Sequence, residues 1–181
     1  MNQDPFLPEG LRYRNALLGL EEERLLAGRL AALPLASFDF HGYAARRRVL
    51  SFGWHYDFGS ATLRRAEPLP EFLLPLRERA AAFAGIAASD LVHALITGYS
   101  PGTAIGWHRD KAVFADVIGV SLLSSCVLRF RRWAETGWQR ASVALAPRSA
   151  YLLRGPARAL WEHSIPPVGA PRYSITFRSL R

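Results

Sequence analysis

Eight short apolar or alternating runs crowd the second half of this chain, and they constrain its fold more than any other feature. They lie at 92–99, 104–109, 117–123, 126–132, 141–145, 149–154, 161–165 and 172–179. Pro101-Gly102, Pro147 and Gly155-Pro156 mark turns between several of them. Short runs with regular turn signals predict the strands of a sandwich or barrel. Two helical stretches precede them. Residues 19–33 place Leu20, Leu25, Leu26, Leu30 and Leu33 at roughly helical spacing, with acids in the first turn and Pro34 closing the helix. Residues 69–85 place Leu73, Leu76, Ala80 and Phe83 on one face, and Pro75 suits a helix start. Helices followed by such strands predict an α+β fold, a double-stranded β-helix (jelly roll) buttressed by N-terminal helices.

The chain has 181 residues, half of them hydrophobic, which suits one domain with a substantial core. Its net charge is +8, and Lys111 is its single lysine, so the positive charge is almost all guanidinium. That bias fits either genomic base composition or a surface suited to phosphates, which guanidinium pairs bidentately. Cys126 stands alone, which excludes an intramolecular disulfide and a thiolate metal cluster; its apolar neighbours predict a buried, inert thiol. No secretory signal and no run of membrane-spanning length is visible, so a cytoplasmic protein without a membrane partner is expected.

Function is concentrated in His108, Asp110, His163, Arg172 and Arg178. Residues two apart on a strand point to the same side, so His108 and Asp110 can reach one ion. Two imidazoles and one carboxylate on one face of an iron leave the other face open for reagents. Arg172 and Arg178, six apart, also share a strand face and offer planar donor forks to a dicarboxylate.

The stretch GYSPGTAIGWHRDK (98–111), then GVSLL (119–123), WEHSIPP (161–167) and RYSITFR (172–178), resembles the AlkB-type group of Fe(II)/2-oxoglutarate dioxygenases. The resemblance implies Fe(II) held by His108, Asp110 and His163, with 2-oxoglutarate as cosubstrate and O2 as co-reactant. It implies that Arg172 pairs with the distal carboxylate, with Tyr99 and Ser174 nearby. Arg178 then supports the chelating carboxylate or Asp110. Thr97 stands where many relatives have an asparagine and offers the cosubstrate a hydroxyl. Ala112 stands where the nucleic-acid repair branch has a base-reading aspartate. One domain, 1–181, is expected, with helices and a substrate lid over 1–90 and the jelly-roll core over 91–181.

The activity that the resemblance implies is oxidative demethylation of N-alkylated bases in DNA or RNA, releasing formaldehyde, succinate and CO2. The partner would be a single-stranded or flipped-base nucleic acid, met by a monomer. The segment RRRVLSFGWHYDF (46–58) interleaves arginines with aromatics, and Trp54, His55 and Tyr56 are its candidates for stacking on a base. As a plain strand, the same segment would bury Val49, Phe52 and Trp54 and leave Arg46, Arg47 and Arg48 in solvent. Hydroxylation or demethylation of protein side chains or small molecules on the same core is the alternative; a non-catalytic metal-binding jelly roll is the third. Trp107 and Trp161, each before a candidate ligand, are expected in the core, and Arg129 and Arg131 on a solvated face. His41, His55 and His93 read individually as structural or surface residues.

Overall fold

The computed structural model describes residues 7–40, 43–57 and 62–181. His41 lies outside them, and nothing is described of the Arg46 side chain. In chain order the elements are β1 (Leu11–Arg14), α1 (Leu20–Ala31), β2 (Ala36–Phe40), β3 (Tyr43–Phe52), β4 (Trp54–Asp57), β5 (Thr62–Arg65), α2 (Leu74–Ala84) and β6 (Leu91–Tyr99). There follow β7 (Ile105–His108), β8 (Phe114–Leu122), β9 (Cys126–Ala134), β10 (Gly137–Leu145), β11 (Ala150–Leu153), α3 (Gly155–Ala159), β12 (Glu162–Ile165) and β13 (Arg172–Leu180).

The strands build a seven-stranded sheet, β1-β11-β8-β13-β6-β3-β2, and a four-stranded sheet, β10-β9-β12-β7, with β4 and β5 as a separate hairpin. This is the jelly-roll core that the strand pattern predicts. The large sheet is buried on both faces, so its strands read as nearly continuous apolar runs. One face carries Ala94, Ile96, Ile118, Val120, Leu122, Ile175 and Phe177, packed with Leu30, Leu73, Leu76 and Ala80 from the helical layer. The other carries Tyr99, Val117, Tyr151 and Leu153, packed with Leu128, Phe130 and Ile165 of the small sheet.

Both helices form where the apolar spacing places them. At the start of α1 the Gly19 N–H donates to Glu22 Oε2 at 2.8 Å, and Glu22 also pairs with Arg79 of α2 at 2.5 Å. Glu23, almost fully buried, accepts the Leu123 N–H and an Arg148 N–H, each at 2.8 Å. That carboxylate ties α1 to the end of β8. Pro75 lies within the first turn of α2, behind a short 3-10 turn (Glu71–Leu73).

Three expectations are corrected. Gly155-Pro156 opens the short helix α3 instead of a turn, because proline is well suited to a first helical position. In β3, Leu50 and Phe52 face the helical core, while Arg47 and Val49 lie on the opposite face by alternation. Arg47 is therefore not a solvent residue, and Trp54 is half-buried under Arg65, 5.4 Å from its ring centre, instead of entering the core. Trp107 also lies outside the core, on the outer face of the small sheet; Trp161 is buried as expected.

Gly119 of β8 has a packing role. A Cβ there would stand 2.2 Å from Cζ of Tyr151 on the neighbouring strand β11. Tyr151 is itself packed between the sheets and cannot swing away. Gly119→Ala should therefore destabilise the protein by about 1–3 kcal/mol. Urea unfolding of the variant would test this, and an unchanged midpoint would refute the role.

Candidate metal and cosubstrate site

The pairing of β7 with β12 sets His108 directly opposite His163. Their ring centres are 4.3 Å apart with planes tilted by 56°. His108 Nδ1 lies 2.9 Å from the Gly106 carbonyl oxygen. A carbonyl can only accept, so Nδ1 carries a proton, and the neutral form of the ring offers Nε2 to an ion. Burial, with His108 adding to it and Asp110 opposing, pushes His163 down to about 4, so this ring is neutral. Asp110 Oδ2 is 3.6 Å from His163 Nε2.

Asp110 is buried, and burial alone would raise its pKa. The Arg178 guanidinium, then His163 and His108, outweigh that and hold it well below the usual carboxylate range. Arg178 donates to Asp110 Oδ1 from Nε at 2.8 Å and from Nη2 at 2.7 Å. Its Nη1 lies 3.4 Å from His93 Nδ1. Burial and the Arg178 charge push His93 down to about 3, so it stays neutral beside the guanidinium. Of the two partners expected for Arg178, the structure shows Asp110.

Arg172 is 2% exposed and packs over the Tyr99 ring at 4.6 Å. Its Nε and Nη2 donate to Ser121 Oγ at 3.2 and 3.0 Å. Its Nη1 is buried with no hydrogen-bond partner. Tyr99 Oη and Ser174 Oγ are 3.2 Å apart, and Thr97 lies opposite Ser174 in the ladder, both buried. Arg47, Tyr99 and Arg172 form one row across β3, β6 and β13, since directly opposed residues share a face.

Among the described residues, no three His, Cys, Asp or Glu side chains close into a finished metal cage. The donors are nevertheless of the right kind. Two imidazoles and one ionised carboxylate converge on one spot, as iron(II) oxygenase sites require. The unsatisfied N–H of Arg172 fits a carboxylate-bearing cosubstrate, because a buried orphan donor costs free energy until something accepts from it. The residues thus fit both groups.

Of the candidates for base contact, Tyr56 lies beside Lys111, whose Nζ is 5.0 Å above its ring. Lys111 directly follows Asp110. His55 is exposed and close enough to His93 to act on it electrostatically. Trp54 is held by Arg65 as described. Sequence reasoning did not single out four residues that shape the site: Ser121, His93 as the neighbour of Arg178, Arg47, and Arg158, which donates from Nη2 to the Lys111 carbonyl. A signal existed for Ser121, a hydroxyl at an inward parity of an otherwise apolar strand. For Arg158 there was none.

Residues 44–178 match the 2OG-Fe(II) oxygenase superfamily. The chain is 31% identical over 146 residues to the Arabidopsis thaliana "Alkylated DNA repair protein ALKBH8 homolog", covering 67% of this chain and 42% of that protein. It is 30% identical over 168 residues to the Mus musculus "tRNA (carboxymethyluridine(34)-5-O)-methyltransferase ALKBH8", covering 89% of this chain and 25% of that one. The chain thus spans less than half the length of these curated relatives. Among solved structures it is similar to OsALKBH1, at 16% identity and a TM-score of 0.71, covering 96% of this chain and 100% of that one. It is also similar to a Pseudomonas putida prolyl-4-hydroxylase, at 17% identity and a TM-score of 0.62, covering 95% and 93%. At these identities the two structures speak for the jelly-roll fold alone. The family match spans most of the chain and the sequence relatives point the same way: this chain belongs to the 2OG-Fe(II) oxygenase superfamily and is of the AlkB type.

Proposed function

We propose that the chain is a monomeric Fe(II)/2-oxoglutarate dioxygenase domain that oxidatively demethylates N-alkylated bases in single-stranded or flipped-out DNA or RNA. The observation that carries the reading is the buried Arg172 with an unsatisfied N–H, set on the inner sheet face that also receives His108, Asp110 and His163. In this reading His108, Asp110 and His163 hold the iron. Arg172 takes the distal carboxylate of 2-oxoglutarate, with Tyr99, Ser174 and Thr97 lining the same place. When bound, iron, 2-oxoglutarate and O2 supply an oxidant that hydroxylates a C–H bond; an N-methyl group so hydroxylated leaves as formaldehyde, with succinate and CO2 formed alongside.

The residues of the chain have the supporting work. Arg178 aims the Asp110 carboxylate and keeps it ionised, while Gly106 fixes the His108 tautomer. Ser121 holds Arg172 by two of its donors and leaves the third pointing free. Apolar packing of Phe130, Tyr151 and Val117 between the sheets excludes water from the inner end. A nucleic-acid substrate is supported by the net charge of +8, by Tyr56 beside Lys111, and by relatives whose names speak of alkylated DNA and of tRNA. Ala112 lacks the carboxylate that would read a base amino group, so hydroxylation or demethylation of protein side chains or small molecules is the second reading.

Anaerobic loading with Fe(II) and 2-oxoglutarate, then air, should give formaldehyde and succinate with single strands carrying 1-methyladenine or 3-methylcytosine. His108→Ala is expected to give neither. Succinate without formaldehyde from any strand would keep the oxygenase and move the substrate to proteins or metabolites. No product from an iron-loaded enzyme would defeat the proposal.

A further inference from the structure

The outer face of the small sheet carries a ladder of tryptophans and guanidiniums that the site does not use. Register sets Trp133 against Trp138, Arg131 against Arg140, and Arg131 against Glu162. Opposed residues share a face, and His163, the next residue on β12, points the other way into the site. The Arg131 guanidinium lies 4.5 Å from the Trp107 ring centre and 4.5 Å from that of Trp138. Arg129 lies 5.1 Å from Trp107, and Trp138 meets Trp133 edge to face at 5.4 Å. These stacked rungs explain why Trp107 is not a core residue: alternation on β7 turns His108 inward and sends the indole outward.

The ladder crosses all four strands, about 14 Å from β7 to β10 at the usual spacing. Arg131 is fixed by Glu162 at 2.7 Å and by the two rings, so it is the frame of the ladder. What the frame presents is unspent. Trp133 is 68% exposed and Trp138 41%, and Arg140 beside them is also exposed. Adjacent exposed indoles gain little by packing on each other and mark an interaction surface. Arg129, Arg131 and Arg140 outweigh Glu162, which makes the face positive.

We propose that this face is a second contact surface for single-stranded nucleic acid, holding the strand outside the pocket that takes the reacting base. Flat indoles accept any base as a stacking partner, while guanidiniums take the phosphates; together they form a sequence-tolerant platform. β7 is an edge strand with His108 on its inner face and Trp107 on its outer face, so a strand leaving the pocket round that edge meets the ladder. The choice of partner rests on the nucleic-acid reading above, and the test separates the two.

Binding of a fluorescein-labelled, unmodified 20-nucleotide single strand to the full chain would be followed by anisotropy across a salt series, without iron or 2-oxoglutarate. Trp133→Ala/Trp138→Ala is expected to weaken binding about 10-fold. Arg140→Glu should weaken it similarly and lower the slope of log Kd against log salt by about 0.7, one phosphate contact. Thermal unfolding would confirm that both variants stay folded. In turnover, the variants should match wild type on a methylated pentamer and show about a 10-fold higher KM on a methylated 20-mer. Loss of binding in the variants upholds the platform even if no methylated strand is turned over, in which case only the demethylase reading fails. Unchanged affinity in the variants, or no strand binding at low salt, overturns the platform and leaves the face to a protein partner.

Discussion

Asp110→Ala should cost the fold about 3–5 kcal/mol as well as abolish turnover. The carboxylate and the Arg178 guanidinium are both buried, with side chains 7% and 11% exposed, and they share two short hydrogen bonds. Removing one member of such a pair leaves an uncompensated buried charge, which is far more costly than removing both. The other contact of Arg178, His93, is a neutral imidazole and cannot replace the lost charge. The double variant Asp110→Ala/Arg178→Met should therefore recover most of the lost stability while remaining inactive. A double-mutant cycle in urea reads the coupling directly. Metal supplies an independent readout: Mn(II) should raise the Tm of the wild type by mass action and leave that of Asp110→Ala unmoved. If the alanine variant unfolds at the same urea concentration as the wild type, the account of this pair is wrong. If both proteins respond equally to Mn(II), Asp110 is not a ligand.

Arg172→Met should separate cosubstrate binding from stability, with opposite signs for the two. Arg172 is among the most deeply buried large side chains, and among the described residues it forms no ion pair. One of its N–H groups has no acceptor. Methionine at this position fills a similar space without the charge, so the variant should be at least as stable as the wild type in the absence of 2-oxoglutarate. Binding of a dicarboxylate is another matter. Charge-assisted hydrogen bonds contribute about 1.5–3 kcal/mol each, so losing one raises the KM for 2-oxoglutarate roughly 10- to 150-fold, and losing two raises it further. Specificity should move with affinity. The wild type should strongly prefer 2-oxoglutarate to 2-oxobutyrate, which lacks the distal carboxylate, and the variant should not distinguish them. Thermal shift with each acid measures this without turnover. Equal preference in wild type and variant would remove Arg172 from the cosubstrate site.

Much of this was legible along the chain because it depends on strand parity. Arg172 and Arg178 share one strand, and the apolar runs from 92 onward correspond to β6 to β13, though β8 and β10 start three and four residues earlier. His108 ends β7, so Asp110 reaches the site from the following loop and not by the strand parity expected of it. The first half was less legible. Strands β1, β2 and β3 join the large sheet, yet β1 reads LRYR and β2 reads ASFDF, which alternate but for only four and five residues, too few to stand out from the surrounding chain. Their stability comes from β11, β6 and the helices, which no local window contains.

Parity also explains the misplacement of Trp107. It follows correctly that Trp107 points away from His108, but not what lies on that side. In the large sheet the opposite face is covered by helices; in the small sheet it is open, so the same alternation that buries Phe177 exposes Trp138.

The strand-rich core, the two helices, the candidate donors and the family could all be read along the chain, because periodicity and short motifs are local and need no knowledge of what packs against them. Which charges meet depends on contacts between distant parts of the chain. Arg178 reaches Asp110 across 68 residues of chain, Ser121 restrains Arg172 across 51, and Arg131 settles between indoles from β7 and β10. Those contacts depend on strand order and register, which are set by the packing of the whole core.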